Sequence, residues 1–214
     1  MLVMKKFSMI SLLFAAVILF TVSSITAPQD SSKKIKSFNA SIKYEEQNKL
    51  AEALNEMKSI HKENSGDYLI NLRLGWLYYL TGDFGSSKKH YQSAVNINKN
   101  SIEAKLGLTL PLSYLGEWDA IKNLYWDVIK LDANNYTANL RLGQIYLNSG
   151  EYNNAKKFLE KAHNFYPGEY EANLSLGWTN YYLGNKQKAK ELWINAKMLS
   201  PTDSLASQGL QLIK

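Results

Sequence analysis

The chain has 214 residues, with 25 Lys and Arg against 19 Asp and Glu, three His and no Cys, which is material for one or two globular units. The absence of thiols excludes disulfides, thiolate metal sites, cysteine nucleophiles and a thiol-attached lipid anchor, and three His leave little from which to build a His-rich catalytic or metal centre. An aromatic content of 12%, including 14 Tyr, argues for a packed chain rather than a disordered one.

Lys5 and Lys6 precede an apolar run from Phe7 to Val22, and Ser23, Ser24 and Thr26 follow it. A charged head, an apolar core and a small polar exit form the order of a secretory signal. The run of 16 residues is long for a signal core and short of the ~20 that span a bilayer as a helix. Residues 1–27 are therefore expected to be a signal peptide or, left uncleaved, an N-terminal anchor. Either places the remainder in the periplasm or cell envelope. Residues 28–214 keep 23 basic and 19 acidic side chains, a net charge of +4, which is much less than the concentrated positive face of a nucleic-acid binder. No nucleic-acid partner is expected. Residues 28–33 read as a linker.

Beyond that point the sequence repeats itself. Gly82, Gly116, Gly150 and Gly184 are each 34 residues apart. The same interval relates Leu74, Leu108, Leu142 and Leu176, then Ala94, Val128, Ala162 and Ala196, then Ile97, Leu131, Phe165 and Leu199. Within a unit the apolar residues recur at three and four, the helical period. Leu72, Gly75, Tyr78 and Tyr79 line a first helix, and Ser87, Tyr91, Ala94 and Val95 line a second. The intervening glycine supplies the left-handed residue that ends the first helix, while Pro167 and Pro201 stop the second. Each unit is thus predicted to be two antiparallel helices joined by a tight turn.

These residues resemble the tetratricopeptide repeat (TPR) family, in its exported bacterial form. Leu142, Gly143, Tyr146, Gly150, Ala155, Leu159, Ala162 and Pro167 follow its pattern closely, as do Leu176, Gly177, Gly184, Ala189, Trp193, Ala196 and Pro201. The resemblance implies an all-α solenoid, a right-handed superhelix of helix-turn-helix repeats. Its units are expected at 34–67, 68–101, 102–135, 136–169 and 170–203, with a C-terminal capping helix over 204–214. The first unit is degenerate, with Asn48 at the turn glycine and a polar stretch from Lys34 to Phe38, and is expected to fray. The early Trp of the family is replaced by Asn71, Lys105, Asn139 and Asn173, so that packing layer must be filled differently. Pro111, inside a predicted helix and four residues after Gly107, predicts a kink.

No constellation for chemistry emerges. His61 and His163 lie three periods apart and cannot share a metal, and His90 falls in another unit. None has a nucleophile and an orienting partner at a useful spacing, so neither a catalytic residue, a metal nor a cofactor is expected, and the chain is not expected to be an enzyme. A Lys recurs at Lys88, Lys122, Lys156 and Lys190 and reads as a solvated outer face.

The resemblance implies instead that the first helices line a concave groove which holds a segment of a partner protein. At 100° per residue the groove stripe brings out Arg73, Trp76, Leu80, Leu110, Tyr114, Arg141, Gln144, Asn148, Trp178 and Tyr182. Aromatic residues beside Arg have the composition of binding hot spots. Packing between neighbouring helices is the competing account of the Trp residues, and Glu103 and Glu171 are the expected partners of the two Arg. The lysine and asparagine pattern that clamps a terminal carboxylate is missing. A second possibility is capture of a sugar or small apolar molecule by Trp76, Tyr114, Trp178 and Tyr182.

Overall fold

The computed structural model describes residues 27–213, so the expected signal or anchor over 1–27 lies, but for its last residue, outside the described residues. Among the described residues there are eleven helices and no strand: α1 (Ala27–Glu46), α2 (Leu50–His61), α3 (Tyr68–Leu80), α4 (Phe84–Ile97), α5 (Ile102–Tyr114), α6 (Trp118–Leu131), α7 (Tyr136–Asn148), α8 (Tyr152–Phe165), α9 (Tyr170–Tyr182), α10 (Lys186–Leu199) and α11 (Ser204–Gln211). They alternate as first and second helices of stacked antiparallel pairs. Each pair touches the next, α3 meets α5 and α7 meets α9 on the inner side, and α11 rests on α10 and α9. The expected all-α solenoid is the fold.

The same chemistry makes every turn. Gly82, Gly116, Gly150 and Gly184 all have φ between 72° and 82°, a region that costs a side-chain-bearing residue energy and costs Gly none. The amide after each glycine then reaches back across the turn, as Asp83 N–H does to the Tyr78 carbonyl at 3.0 Å and Glu151 N–H to that of Tyr146 at 2.9 Å. This is the double-bonded helix ending that glycine permits. In the first pair Asn48 does the same work at φ 58°, and Lys49 N–H closes on Tyr44 at 2.8 Å. Asn is the side chain best able to stand in, because its short polar group tolerates the left-handed region. First helices start on a capping side chain one residue ahead: Asp67, Ser101 and Asn135 accept from the amides of Ile70, Ala104 and Ala138, each at 3.0 Å.

Residues 28–33 are not a linker. They form the opening turns of α1, which runs unbroken through the polar 34–38 stretch. Pro28 sits in the first turn, where its missing N–H has no intrahelical acceptor to lose, and the helix is pinned farther along by Ser41, Glu45 and Phe38. Nor does Pro111 break α5, which continues to Tyr114 and ends with Leu115 N–H on the Pro111 carbonyl at 3.1 Å. Gly107 also admits a neighbour: the Tyr91 ring occupies the space where its Cβ would stand.

Large residues of three second helices lie against glycines of neighbouring helices in this way. Tyr91 lies against Gly75 and Gly107, Leu159 against Gly143, and Trp193 against Gly177 and Gly209. The position of the family's early Trp is filled by polar anchoring. Asn71, Asn139 and Asn173 are fully buried. Each donates to two carbonyls of the loop before its helix, Asn173 for example to Pro167 at 2.7 Å and Glu169 at 2.9 Å. The two amide N–H groups, paired this way, tie each incoming loop to the helix it starts, while the amide oxygens of Asn139 and Asn173 are buried without a partner. The third pair departs, with buried Lys105 reaching Asp127 at 3.8 Å.

Candidate functional site

The first helices carry the predicted stripe, and their neighbours divide it into three hollows. The first, about 320 Å³, lies between α1, α3 and α5, lined by Phe38, Leu69, Leu72, Arg73, Trp76 and Glu103. Arg73 is held from α1: its Nε donates to Ser41 Oγ at 3.1 Å, and its Nη1 pairs with the Glu45 carboxylate. The other oxygen of Glu45 accepts from Trp76 Nε1 at 2.7 Å. The expected partner, Glu103, instead accepts from the Tyr68 hydroxyl at 3.2 Å. Arg73 and Trp76 are therefore half-buried parts of the joint between α1 and α3. Leu80 is half-buried as well and lines none of the three hollows.

The second hollow, about 340 Å³, lies between α5, α6 and α7, with Leu110, Trp118, Tyr125, Arg141, Gln144 and Asn148 in its wall. Arg141 does pair with Glu171, at 2.6 Å, and donates to Gln144 Oε1 at 2.8 Å; Gln144 Nε2 goes on to Ser175 Oγ at 3.2 Å. The third, about 580 Å³, is walled by Asn148, Tyr152, Trp178 and Tyr182. Trp178 is half-buried, edge-on to the core ring of Trp193 at 4.7 Å. Both Trp of the stripe are thus half-buried between helices and also line a hollow.

The two tyrosines stand out from the wall. Tyr114 is 63% exposed and stacks on Phe84 at 4.1 Å, with Tyr79 edge-on at 5.8 Å. Tyr182 is 51% exposed and stacks on Tyr152 at 4.7 Å. Phe84, Trp118 and Tyr152 also belong to this surface but lie on second helices, outside a stripe read along first helices, and Glu45 lies on the first helix of the degenerate unit. Phe84, Trp118 and Tyr152 stand at the start of successive second helices with the period of 34, and that register was a usable signal. On the outer side, Lys88 bonds both oxygens of Glu117 at 2.6 and 2.8 Å, Lys122 lies 4.7 Å over the Tyr146 ring, and Lys156 meets Glu160 at 3.6 Å.

His61 and His90 come together, their rings 4.9 Å apart and edge-on. His90 is buried, stacked on Tyr78 at 5.4 Å, with Nδ1 at 3.1 Å from Asn71 Oδ1. No third metal-ligating side chain joins them among the described residues. Burial, then the charges of His61 and Lys89, push the pKa of His90 from 6.5 down to about 4, against the opposing pull of Asp83. Between those values the unfolded chain takes up a proton that the folded chain refuses. Stability should therefore fall as pH drops from about 6.5 towards 4, by up to about 3 kcal/mol for this group. Urea midpoints measured at both ends of that window should move less in His90→Gln than in the wild type; equal shifts would remove His90 as the cause.

A stacked array of 34-residue helix pairs with a hollowed inner face defines a helical-repeat solenoid. The family model for the tetratricopeptide repeat matches residues 69–101 and 136–167. Those two stretches match as tetratricopeptide repeats, and the array around them has the TPR fold. Its fold is similar to the crystal structure of YrrB, a TPR protein with an unusual peptide-binding site, at 20% identity and TM-score 0.68 over 83% of this chain and 91% of that one. A TPR protein from Parabacteroides merdae ATCC 43184 aligns at 16% identity and TM-score 0.73, covering 85% of this chain and 72% of the other. The MamA protein aligns at 20% identity and TM-score 0.69, covering 80% and 93%. No curated protein sequence matches the chain. Among the described residues no helix is long and apolar enough to cross a membrane.

Proposed function

We propose that the chain is a non-enzymatic interaction scaffold, exported to the periplasm or cell envelope, that holds an extended segment of a partner protein along its inner face. The supporting observation is the row of three hollows between successive first helices, edged by exposed rings of Tyr114 and Tyr182. Exposed aromatic anchors beside polar groups are the usual source of binding energy in such surfaces. That YrrB carries a peptide-binding site on a similar fold agrees with the reading. Export rests on Lys5, Lys6 and the apolar core from Phe7 to Val22.

Tyr114→Ala combined with Tyr182→Ala should weaken capture of the partner about 30-fold or more, since single anchors are often worth ~2 kcal/mol, while the melting temperature stays close to that of the wild type. Crosslinking capture from envelope fractions measures the first and calorimetry the second. Unchanged capture would move the binding surface elsewhere. Sequencing the N-terminus of the native protein checks export: a chain that begins at Met1 and fractionates with cytosol would overturn it.

A further inference from the structure

The aromatic edge of the groove is a series with one member missing. The residue that starts each second helix faces the residue near the end of the next first helix, with the period of the repeat: Phe84 with Tyr114, Trp118 with Asn148, Tyr152 with Tyr182. The outer two pairs are stacked, at 4.1 Å and 14° between planes and at 4.7 Å and 12°. In the middle pair the second ring is replaced by an amide. Trp118 is 64% exposed and makes no ring contact among the described residues, and beside it opens the 340 Å³ hollow that Asn148 also lines.

Leaving a Trp face in water forgoes the largest apolar area any side chain can bury. In its neighbours the same fold covers the equivalent face with a ring. The wall around the opening is mixed: Leu110 and Tyr125 are apolar, while Asn148, Gln144 and Arg141 offer donors and acceptors. Such a site suits a planar group with a polar rim better than a branched aliphatic one.

We propose that this gap is a specificity pocket for one aromatic side chain of the bound segment, which stacks on Trp118 in the place that Tyr114 and Tyr182 occupy on Phe84 and Tyr152. It rests on the reading of the inner face as a peptide groove and adds to it what the peptide must contain. The ring of the partner continues the series from the first pair to the third, and the Asn148 amide lies within the same opening to bond a phenolic hydroxyl or a neighbouring peptide group.

The test pans a phage-displayed random peptide library against the full chain in mild detergent, then measures the enriched peptides on two variants. Peptides sharing an aromatic residue are expected. Trp118→Ala should weaken them about tenfold or more, the scale of one lost ring stack with its buried area. Asn148→Tyr should weaken them comparably while raising the melting temperature, because the protein then fills its own gap. That variant decides the matter should Trp118→Ala prove unstable. Enriched peptides without an aromatic, or full affinity in Asn148→Tyr, would overturn the pocket and leave the groove standing. No enrichment at all, or capture of soluble oligosaccharides instead of peptides, would overturn both.

Discussion

Truncation of Trp193 to Ala is expected to remove about 3–5 kcal/mol of stability, the range for large aromatic residues deleted from a core, and to loosen the C-terminal helices first. The ring is fully buried. It fills the space where a Cβ on either Gly177 or Gly209 would come within 2.5 Å, and it packs against Trp178 at 4.7 Å and Tyr181 at 5.7 Å. One side chain on α10 therefore joins α9 to α11, and the two glycines that face it carry no side chain to fill the vacated volume. The indole N–H is buried without a partner, so Trp193→Phe, which keeps most of the packing and removes the unpaired donor, should cost much less than Trp193→Ala. Because each pair in a solenoid contacts only its neighbours, amide exchange should accelerate in α9 to α11 while α3 to α6 keep their protection. Equal acceleration along the whole chain, or equal losses in the two variants, would show that the ring does not hold the end of the array in this way.

The repeat was legible because its positions are dictated locally. A left-handed turn residue, a glycine facing a large ring and a small residue between two helices each admit few side chains, and each recurs every 34 residues. The opening of α1 was not legible for the complementary reason. Its first turns carry no apolar stripe, and nothing in residues 28–33 reports that Ser41 and Glu45, farther along the same helix, will clasp Arg73.

The groove was readable in part. The stripe located the first helices' inward face, and the pairing of Arg141 with Glu171 follows from two stripe positions in adjacent units. Exposure within the stripe was not readable, because it depends on what the second helices bring alongside. Tyr114 and Tyr182 project from the surface on a supporting ring, whereas Trp178 turns towards Trp193. The rings that Tyr114, Tyr182 and Trp178 rest on, Phe84, Tyr152 and Trp193, all lie on second helices, so periodicity along a single helix cannot sort them.

Glu45→Ala decides whether Arg73 belongs to the joint or to a ligand. One carboxylate serves both the Arg73 guanidinium and the Trp76 indole, and the Arg73 side chain is only 13% exposed. Removing one member of a buried ion pair leaves an uncompensated charge and costs about 3–5 kcal/mol; since Glu45 retains some contact with water, a loss of about 2–4 kcal/mol is expected here. Arg73 already has one buried guanidinium nitrogen without a partner, and with Glu45 gone Ser41 Oγ would be its remaining hydrogen-bond acceptor. Glu45→Gln keeps an oxygen for the indole and should recover part of the loss. The exposed pair of Lys188 and Glu191, 3.2 Å apart on α10, provides the contrast: Lys188→Ala should change stability by less than about 0.5 kcal/mol. Chemical denaturation measures all three, and amide exchange should show α1 leaving the array in Glu45→Ala while α7 to α10 stay closed. If Glu45→Ala instead melts with the wild type and Lys188→Ala, the carboxylate is not what holds Arg73, and the guanidinium is free to meet the carbonyls or carboxylates of a bound segment in the first hollow.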